Sequence, residues 1–183
     1  LSLVSTPSYN PNNFVLGISQ SDWNALLTDE RKPLLNKATS GAYPPGSTFK
    51  MVVAAAALEL GLIGLNDKIF CAGFYELGSR KFHCWLKGGH GKLTLQEGIQ
   101  KSCDVYFYEL ARKVGVKRIG DMARRLGLGQ AYDLPLTGLS KGFVPTKKWK
   151  KERFGTSWLV GDTLNVGIGQ GFSLATPLQL AVM

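Results

Sequence analysis

Residues 51–60 are almost wholly apolar and include four consecutive alanines. A helix that is apolar on every side is buried at the centre of a domain. The segment is much too short to cross a membrane, which takes about 20 residues. The sequence therefore predicts a central buried helix around which the other elements pack.

The start and end of this helix are marked by turn residues. Pro44 and Pro45 precede a start near Gly46, and Gly61 follows a last turn at about Leu60. With 183 residues, of which 44% are hydrophobic and 19% charged, the composition is that of a globular protein with one sizeable domain or a large part of one.

The remaining elements predict a helix-rich α+β fold with an incomplete antiparallel sheet. Strands are predicted near the start of the chain, over Leu1–Thr6, and as a pair within Ile69–Cys84 with a turn at Gly78-Ser79. Further helices are predicted over Ser21–Leu27 with Ser21 as N-cap, Thr94–Gln100, Cys103–Val114, Val116–Leu126 and from Thr176-Pro177 onward. The glycine-rich stretch Gly155–Gly171 is predicted to be extended.

Both ends of the sequence look like truncation points, because Leu1 falls inside a predicted strand and Met183 inside a predicted helix. The expectation is one partial domain over residues 1–183, truncated at both ends. The first residues show no signal-peptide pattern, and because the start looks like a cut, a targeting or anchoring segment could lie upstream.

Basic residues outnumber acidic ones by 22 to 13, which gives a formal charge of +9. Much of the surplus lies in Lys113–Arg125 and Lys147–Arg153. Such a surplus favours anionic surroundings, although two solvated faces would explain it equally well. No sequence signature of a nucleic-acid-binding module accompanies the charge, so we expect no nucleic-acid partner.

Ser47 and Lys50 are three residues apart at the predicted start of the central helix, which puts both side chains on one face. A serine becomes a useful nucleophile when a base removes its proton, and a lysine in an apolar setting can be that base. Backbone N–H groups at a helix start can stabilise a developing oxyanion. The bare Ser-x-x-Lys pattern is common by chance, and a serine at this place is also an ordinary N-cap.

The wider segment Gly41–Leu60 is more specific than this tetrad. Its Gly-Ala-Tyr-Pro-Pro-Gly-Ser-Thr-Phe-Lys run, followed by the alanine-rich helix, resembles the active-site segment of class B penicillin-binding proteins. In that superfamily a Ser-x-Asn motif lies roughly 50 residues further on. Ser102 to Asp104 stand at this distance and open a helix.

The resemblance implies that Ser47 is the nucleophile, Lys50 its proton-handling partner and Ser102 a proton relay. The alternative role for Ser102 is that of an N-cap, and both roles are compatible. Asp104 takes the place that Asn usually holds, which resembles the elongation branch of the family, the penicillin-binding protein 2 type. A carboxylate there could pair with Lys50 and keep it protonated longer.

Other stretches resemble the same branch, so that the likeness covers nearly the whole chain. They are Trp85–Gly91, Pro145–Phe172 and Thr176–Gln179. The third motif of the family, Lys-Ser-Gly or Lys-Thr-Gly, does not occur in the sequence and is expected after Met183. Because it supplies an oxyanion donor worth about 10²–10³ in rate, residues 1–183 alone are expected to be weak or inactive.

By resemblance, the fold is a partial transpeptidase fold of the penicillin-binding-protein/serine β-lactamase type. The implied reaction is acyl transfer on peptidoglycan stem peptides that end in D-Ala-D-Ala, and β-lactam antibiotics would be trapped on Ser47. The implied setting is cell-wall elongation with the proteins of that machinery, on the periplasmic face of the bacterial inner membrane, with the membrane anchor outside this chain. The chemistry needs no cofactor.

Two other classes of function remain open. One is a Ser-x-x-Lys hydrolase, such as a class D β-lactamase or a carboxypeptidase. The other is a catalytically silent penicillin-binding or sensor domain.

Three cysteines and a histidine form a second candidate site. Cys71, Cys84, His90 and Cys103 all lie within 33 residues and make a complete tetrahedral set for a structural zinc ion, although the spacing is not that of a standard zinc finger. The alternatives are one disulfide with a free thiol, or three unlinked thiols. His83 is the other available imidazole, but alternation along a strand points it away from Cys84.

Overall fold

The computed structural model of the chain describes residues 2–183. Within them, helices α1 to α8 span Gln20–Thr28, Lys50–Glu59, Leu95–Gln100, Asp104–Val114, Val116–Arg125, Lys147–Phe154, Val160–Gly167 and Pro177–Val182. Strands β1 to β4 span Ile69–Cys71, Phe74–Leu77, Arg80–His83 and Gly91–Leu93, and short 3₁₀ helices cover Pro11–Phe14 and Gly46–Phe49. The helix-rich α+β composition is as predicted.

Helix α2 is the helix predicted from the alanine run, but it is buried on one side rather than all round, since Met51 is 49% and Leu58 40% exposed. Val52, Val53 and Ala57 have no exposed surface, and helices α4 and α5 pack against them. The helix ends at Glu59, and Gly61 follows with a φ of 63°, a conformation that glycine adopts without strain. The 3₁₀ turn before α2 is therefore attached to a helix whose inner face is fully buried. Across residues 2–183, no helix combines the length and apolar character that spanning a bilayer would take.

The β-structure is limited to short antiparallel pairs. Strands β2 and β3 form a hairpin whose turn is Gly78-Ser79, as predicted. Strand β1 pairs instead with β4, which brings Cys71 opposite Gly91. Two isolated bridges, Tyr43–Ala175 and Phe143–Leu174, complete the pairing among the described residues, so the sheet is incomplete as expected.

Two predictions for the first 30 residues were wrong. Residues 2–6 are not in a strand, and Leu1 lies outside the described residues. A β-prone segment becomes a strand only beside a partner strand, and here Ser5 instead accepts from the Lys37 N–H and donates to the Leu35 carbonyl. Helix α1 is capped by Ser19 rather than Ser21, because the Ser19 hydroxyl both accepts from the backbone of Asp22 and donates to its carboxylate.

The stretch predicted to be extended, residues 155–171, contains helix α7, and α6 lies just before it. The Asp162 carboxylate accepts the Leu159 N–H at 2.7 Å and pairs with the buried Lys150 of α6, which fixes the start of α7. At its other end, a Cβ on Gly167 would lie 2.3 Å from the Ala111 side chain of α4. Gly167, one of the glycines that suggested a loop, instead allows α7 to pack closely against α4.

Candidate active site

Ser47 and Lys50 lie on the 3₁₀ turn that leads into α2, where the sequence placed them. Ser47 is exposed, whereas only 2% of Lys50 is exposed. The turn keeps them adjacent because the Lys50 N–H donates to the carbonyls of Ser47 and Thr48. An accessible hydroxyl near a buried lysine is one arrangement in which a serine can be activated as a nucleophile.

Ser102 connects these two residues. Its hydroxyl oxygen lies 2.8 Å from Ser47 Oγ and 3.0 Å from Lys50 Nζ. Within residues 2–183, the hydrogen-bonded path from Ser47 to Lys50 runs through Ser102. The alternative role of Ser102 as an N-cap is wrong, because Cys103 caps α4 and its sulfur accepts the Tyr106 N–H at 3.5 Å.

The Lys50 ammonium group is fully hydrogen-bonded. It donates to the Ser102 carbonyl at 2.8 Å, to the Ser102 hydroxyl at 3.0 Å and to Asp104 Oδ1 at 2.7 Å. An ammonium group has three N–H donors, so none is left over. This geometry is that of a charged lysine balanced by Asp104, the pairing that was expected from a carboxylate at this position.

Ser102 itself sits in a turn that normally holds glycine. It follows the C-cap of α3, where the Cys103 N–H bonds the Gly98 carbonyl and the Ser102 N–H bonds the Ile99 carbonyl, both at 3.0 Å. This is the Schellman pattern, whose central residue has a positive φ and is usually glycine. Ser102 has a φ of 49°. The hydroxyl between Ser47 and Lys50 is therefore presented by a strained backbone.

Trp85 contacts this turn on both sides and was not predicted as a site residue. Its backbone N–H donates to Asp104 Oδ2, and its indole N–H donates to the Lys101 carbonyl, each at 3.1 Å. Trp85 also lines an open groove of about 660 Å³ that reaches Ser102. The one sequence signal for it was its place in a stretch that resembles the family.

Gly169 supports the turn that carries Ser47. Its carbonyl accepts the Gly46 N–H at 2.9 Å. A Cβ on Gly169 would lie 2.0 Å from the Gly46 carbonyl oxygen, and its φ of 70° also favours glycine. In the sequence, the glycine run over residues 167–171 was a weak signal that indicated only a loop.

The four predicted metal ligands come together from separate elements. Cys71 ends β1, Cys84 follows β3, His90 precedes β4 and Cys103 caps α4. Their ligand atoms all lie within 4.8 Å of one another. The other imidazole, His83, is exposed and outside this group. All three cysteines are free thiols, so the disulfide alternative is not formed.

The chemistry of this cluster fits a tetrahedral zinc ion. His90 Nδ1 lies 3.7 Å from Cys71 Sγ and 3.6 Å from Cys84 Sγ. Bond lengths of about 2.0–2.1 Å to nitrogen and about 2.3 Å to sulfur put tetrahedral ligand atoms about 3.6 Å apart. Burial raises the pKa of the Cys103 thiol and lowers that of the His90 imidazole. Without a cation these shifts favour a neutral Cys103 thiol and a neutral imidazole, and the neutral imidazole is the form in which histidine binds a metal.

Comparison with known proteins gives a match over the whole chain. The profile of the penicillin binding protein transpeptidase domain matches residues 1–183. The peptidoglycan D,D-transpeptidase MrdA of Escherichia coli strain K12 is 45% identical over 183 residues, which is 99% of this chain and 29% of that protein. This chain thus spans less than a third of the length of that curated relative.

Two solved structures share the fold closely. Pseudomonas aeruginosa PBP2, in complex with WCK 5153, is 41% identical with a TM-score of 0.92, over 98% of this chain and 40% of its own. Helicobacter pylori PBP2, in complex with MreC, is 43% identical with a TM-score of 0.92, over 97% of this chain and 33% of its own. On the full-length profile match and these likenesses, the chain belongs to the family of penicillin-binding protein transpeptidase domains.

Proposed function

We propose that this chain supplies the acylation centre of a peptidoglycan D,D-transpeptidase that acts in cell-wall elongation. The observation that carries the proposal is the hydrogen-bonded path from exposed Ser47 through Ser102 to buried Lys50. It is the path that a serine acyltransferase needs in order to remove the proton from its nucleophile. Relatives whose names state D,D-transpeptidase activity support the same class of reaction.

The proton path follows from the four polar groups in contact. In the resting state Lys50 is charged, so it must release one proton before it can accept another. Asp104 Oδ1, at 2.7 Å, is the acceptor for that proton. Ser102 then gives its proton to Lys50 and takes the proton of Ser47, which becomes the attacking alkoxide. Every proton is accounted for, because the net change is that Asp104 gains the proton that Ser47 loses.

The acyl transfer then occurs in two steps. Ser47 Oγ attacks the carbonyl carbon of the D-Ala-D-Ala peptide bond, and the departing D-alanine nitrogen takes a proton back along the path. An amine of a neighbouring stem peptide next attacks the acyl carbon and forms the cross-link; the bond to Ser47 Oγ breaks, and the proton that the amine loses returns along the same path to Ser47. At the start of the Gly46–Phe49 turn the Gly46 N–H is bound to Gly169, so the donor proposed for the oxyanion is the Ser47 N–H. A β-lactam mimics the donor and leaves a stable acyl group on Ser47.

The setting is proposed from the relatives. A PBP2 is seen in complex with MreC, so proteins of the elongation machinery are the proposed partners alongside stem peptides and β-lactams. The proposed location is the periplasmic face of the bacterial inner membrane. Because this chain spans 29% of the E. coli relative, the membrane anchor and the Lys-Ser/Thr-Gly motif are proposed to lie in the part that this chain does not cover.

The direct test is the intact mass of the full-length gene product that contains these residues, after incubation with penicillin. We expect a lasting adduct of one penicillin per protein, and none in a Ser47→Ala control. Rapid hydrolysis of penicillin without an adduct would instead favour a β-lactamase. A folded protein that neither retains nor hydrolyses penicillin would refute the acylation chemistry and favour a silent sensor domain.

We also propose that the Cys71, Cys84, His90 and Cys103 cluster holds a structural zinc ion. Four protein ligands complete a tetrahedral shell, so this ion would leave no open position for a reacting water. The support is the donor set together with the spacing of its atoms. Its proposed effect is to fix the segment that carries Ser102 and Asp104, since Cys103 lies between them.

Elemental analysis of the purified protein tests the zinc proposal independently of activity. We expect about one zinc per chain, lost in His90→Ala and retained in the matched control His83→Ala. The midpoint temperature of thermal unfolding should fall in His90→Ala and stay unchanged in His83→Ala. Two findings would count against the proposal: a zinc-free wild-type protein, or a chelated protein that is acylated by penicillin at an unchanged rate.

A further inference from the structure

We propose that Trp85 is a positioning residue that keeps Ser102 in its catalytic conformation, an inference that rests on the proposed acylation of Ser47. The two hydrogen bonds of Trp85 bracket Ser102 in the sequence. The indole N–H holds the carbonyl of Lys101, the residue before Ser102, and the backbone N–H holds Asp104, two residues after it. Trp85 thus reaches the strained turn from both sides without touching Ser47.

The turn at Ser102 needs such a restraint because glycine, the residue that this position favours, is absent. A positive φ is costly for a residue with a Cβ, so Ser102 gains by relaxing toward other conformations. Relaxation would rotate the peptide bond between Lys101 and Ser102. The Lys101 carbonyl is one end of that peptide, and the indole N–H of Trp85 fixes its direction at 3.1 Å.

The orientation of the indole is itself constrained by the neighbouring cluster. The Trp85 ring meets the His90 ring edge to face, with centroids 5.3 Å apart. Yet 63% of Trp85 is exposed, so burial of its apolar surface does not account for its placement. The polar end of the ring is the part engaged with protein, which is the reverse of what a purely packing tryptophan does.

Loss of this hydrogen bond should act on Ser102 in particular. The Ser102 hydroxyl lies 2.8 Å from Ser47 and 3.0 Å from Lys50, so a small rotation of the preceding peptide would disturb both hydrogen bonds. Lys50 itself stays in place through Asp104. The nucleophile would then remain exposed and able to bind ligand, but it would lose protons more slowly.

The test is Trp85→Phe in the full-length gene product, which removes the indole N–H and keeps an aromatic ring and the backbone N–H. We measure the acylation rate constant k2 and the binding constant K separately with a chromogenic β-lactam. We expect k2 to fall about fivefold to tenfold, the size of one lost hydrogen bond, with K unchanged within twofold. Trp158→Phe is the matched control, because its indole N–H bonds Thr163, outside the Ser47 path, and k2 should not change.

A second background separates positioning from general weakening. In a Ser102→Ala protein, which is acylated slowly, adding Trp85→Phe should leave k2 unaltered, since Trp85 acts through the hydroxyl that is gone. If Trp85→Phe does not fold, β-3-benzothienylalanine at position 85 keeps the shape of indole without its N–H and serves the same measurement.

Three results would overturn the inference: an unchanged k2, a change confined to K, or a loss of k2 that persists in the Ser102→Ala background. Acylation of the wild-type protein is read in the same assay. If the wild type forms no adduct, the proposed function fails. If the wild type is acylated and Trp85→Phe has the same k2, only the role of Trp85 is refuted.

Discussion

Replacement of Asp104 by alanine should leave the buried Lys50 charge without a counter-ion. Lys50 is 2% exposed, and two of its three hydrogen-bond acceptors would remain. Truncation of one partner in a buried ion pair costs about 3–5 kcal/mol. Because the Asp104 side chain is 16% exposed, water can partly replace it, and we expect the lower end, about 3 kcal/mol.

One further variant separates the charge from the hydrogen bond, and a second variant is a control at a surface ion pair. Asp104→Asn keeps an oxygen that can accept from Lys50, so we expect a smaller loss of about 1–2 kcal/mol. The exposed pair of Lys117 and Asp121 is the control, with side chains that are 86% and 52% exposed. Asp121→Ala should cost less than about 1 kcal/mol, as surface ion pairs do.

Urea unfolding followed by tryptophan fluorescence measures these differences, provided that the slope m is the same for each variant. Adding Lys50→Met to Asp104→Ala removes the unpaired charge and should restore much of the lost stability. The reasoning is refuted if Asp104→Ala stays within about 1 kcal/mol of the wild type, or if Lys50→Met makes the Asp104→Ala protein still less stable.

Three other outcomes follow from the same geometry. Ser102→Ala should slow acylation of Ser47 by penicillin about 10²- to 10⁴-fold without abolishing the adduct, because it removes the proton relay, and time-resolved intact mass measures this. Gly169→Ala should reduce the acylation rate and stability well beyond Gly171→Ala. Both glycines have a positive φ, but only at Gly169 would a Cβ meet the Gly46 carbonyl, at 2.0 Å; equal effects would contradict this. Gly167→Ala should lower the free energy of unfolding by about 1–3 kcal/mol, because the added methyl group overpacks the contact with α4. The midpoint of urea unfolding measures this loss.

The catalytic turn could be predicted from sequence because its signals are local. The apolar run after Lys50 defines a buried helix, and the spacing from Ser47 puts both side chains at its start. Ser102 was found at the right distance by resemblance to a family motif. Its place in the turn after α3 was not predicted, since that depends on Gly98 and Ile99 carbonyls that no sequence periodicity reveals.

The elements that were missed depend on contacts between distant residues. Helix α7 was predicted as an extended connection because its glycines suggest a loop. In the structure Gly167 allows α7 to approach Ala111, and Asp162 binds Lys150 in the preceding helix. Trp85 likewise gave no signal of its own, since its role arises only when the segment after β3 folds onto the end of α3. Propensity describes the chain one residue at a time, whereas these placements are decided by tertiary packing.

Ser102, Cys103 and Asp104 are held jointly by helix α2, by the cysteine cluster and by Trp85, and this explains why a strained serine can persist there. Ser102 accepts from Lys50 of the central helix, and Cys103 lies in the cluster with Cys71, which ends β1, and Cys84, which follows β3. Asp104 is held by Lys50 and by the backbone of Trp85. Glycine at position 102 would relax the turn, but it would remove the hydroxyl that joins Ser47 to Lys50. The cost of a positive φ at Ser102 is therefore offset by the contacts of Cys103 and Asp104, the two residues that follow it. A change at Cys103 should consequently disturb the proton path, although Cys103 takes no part in it.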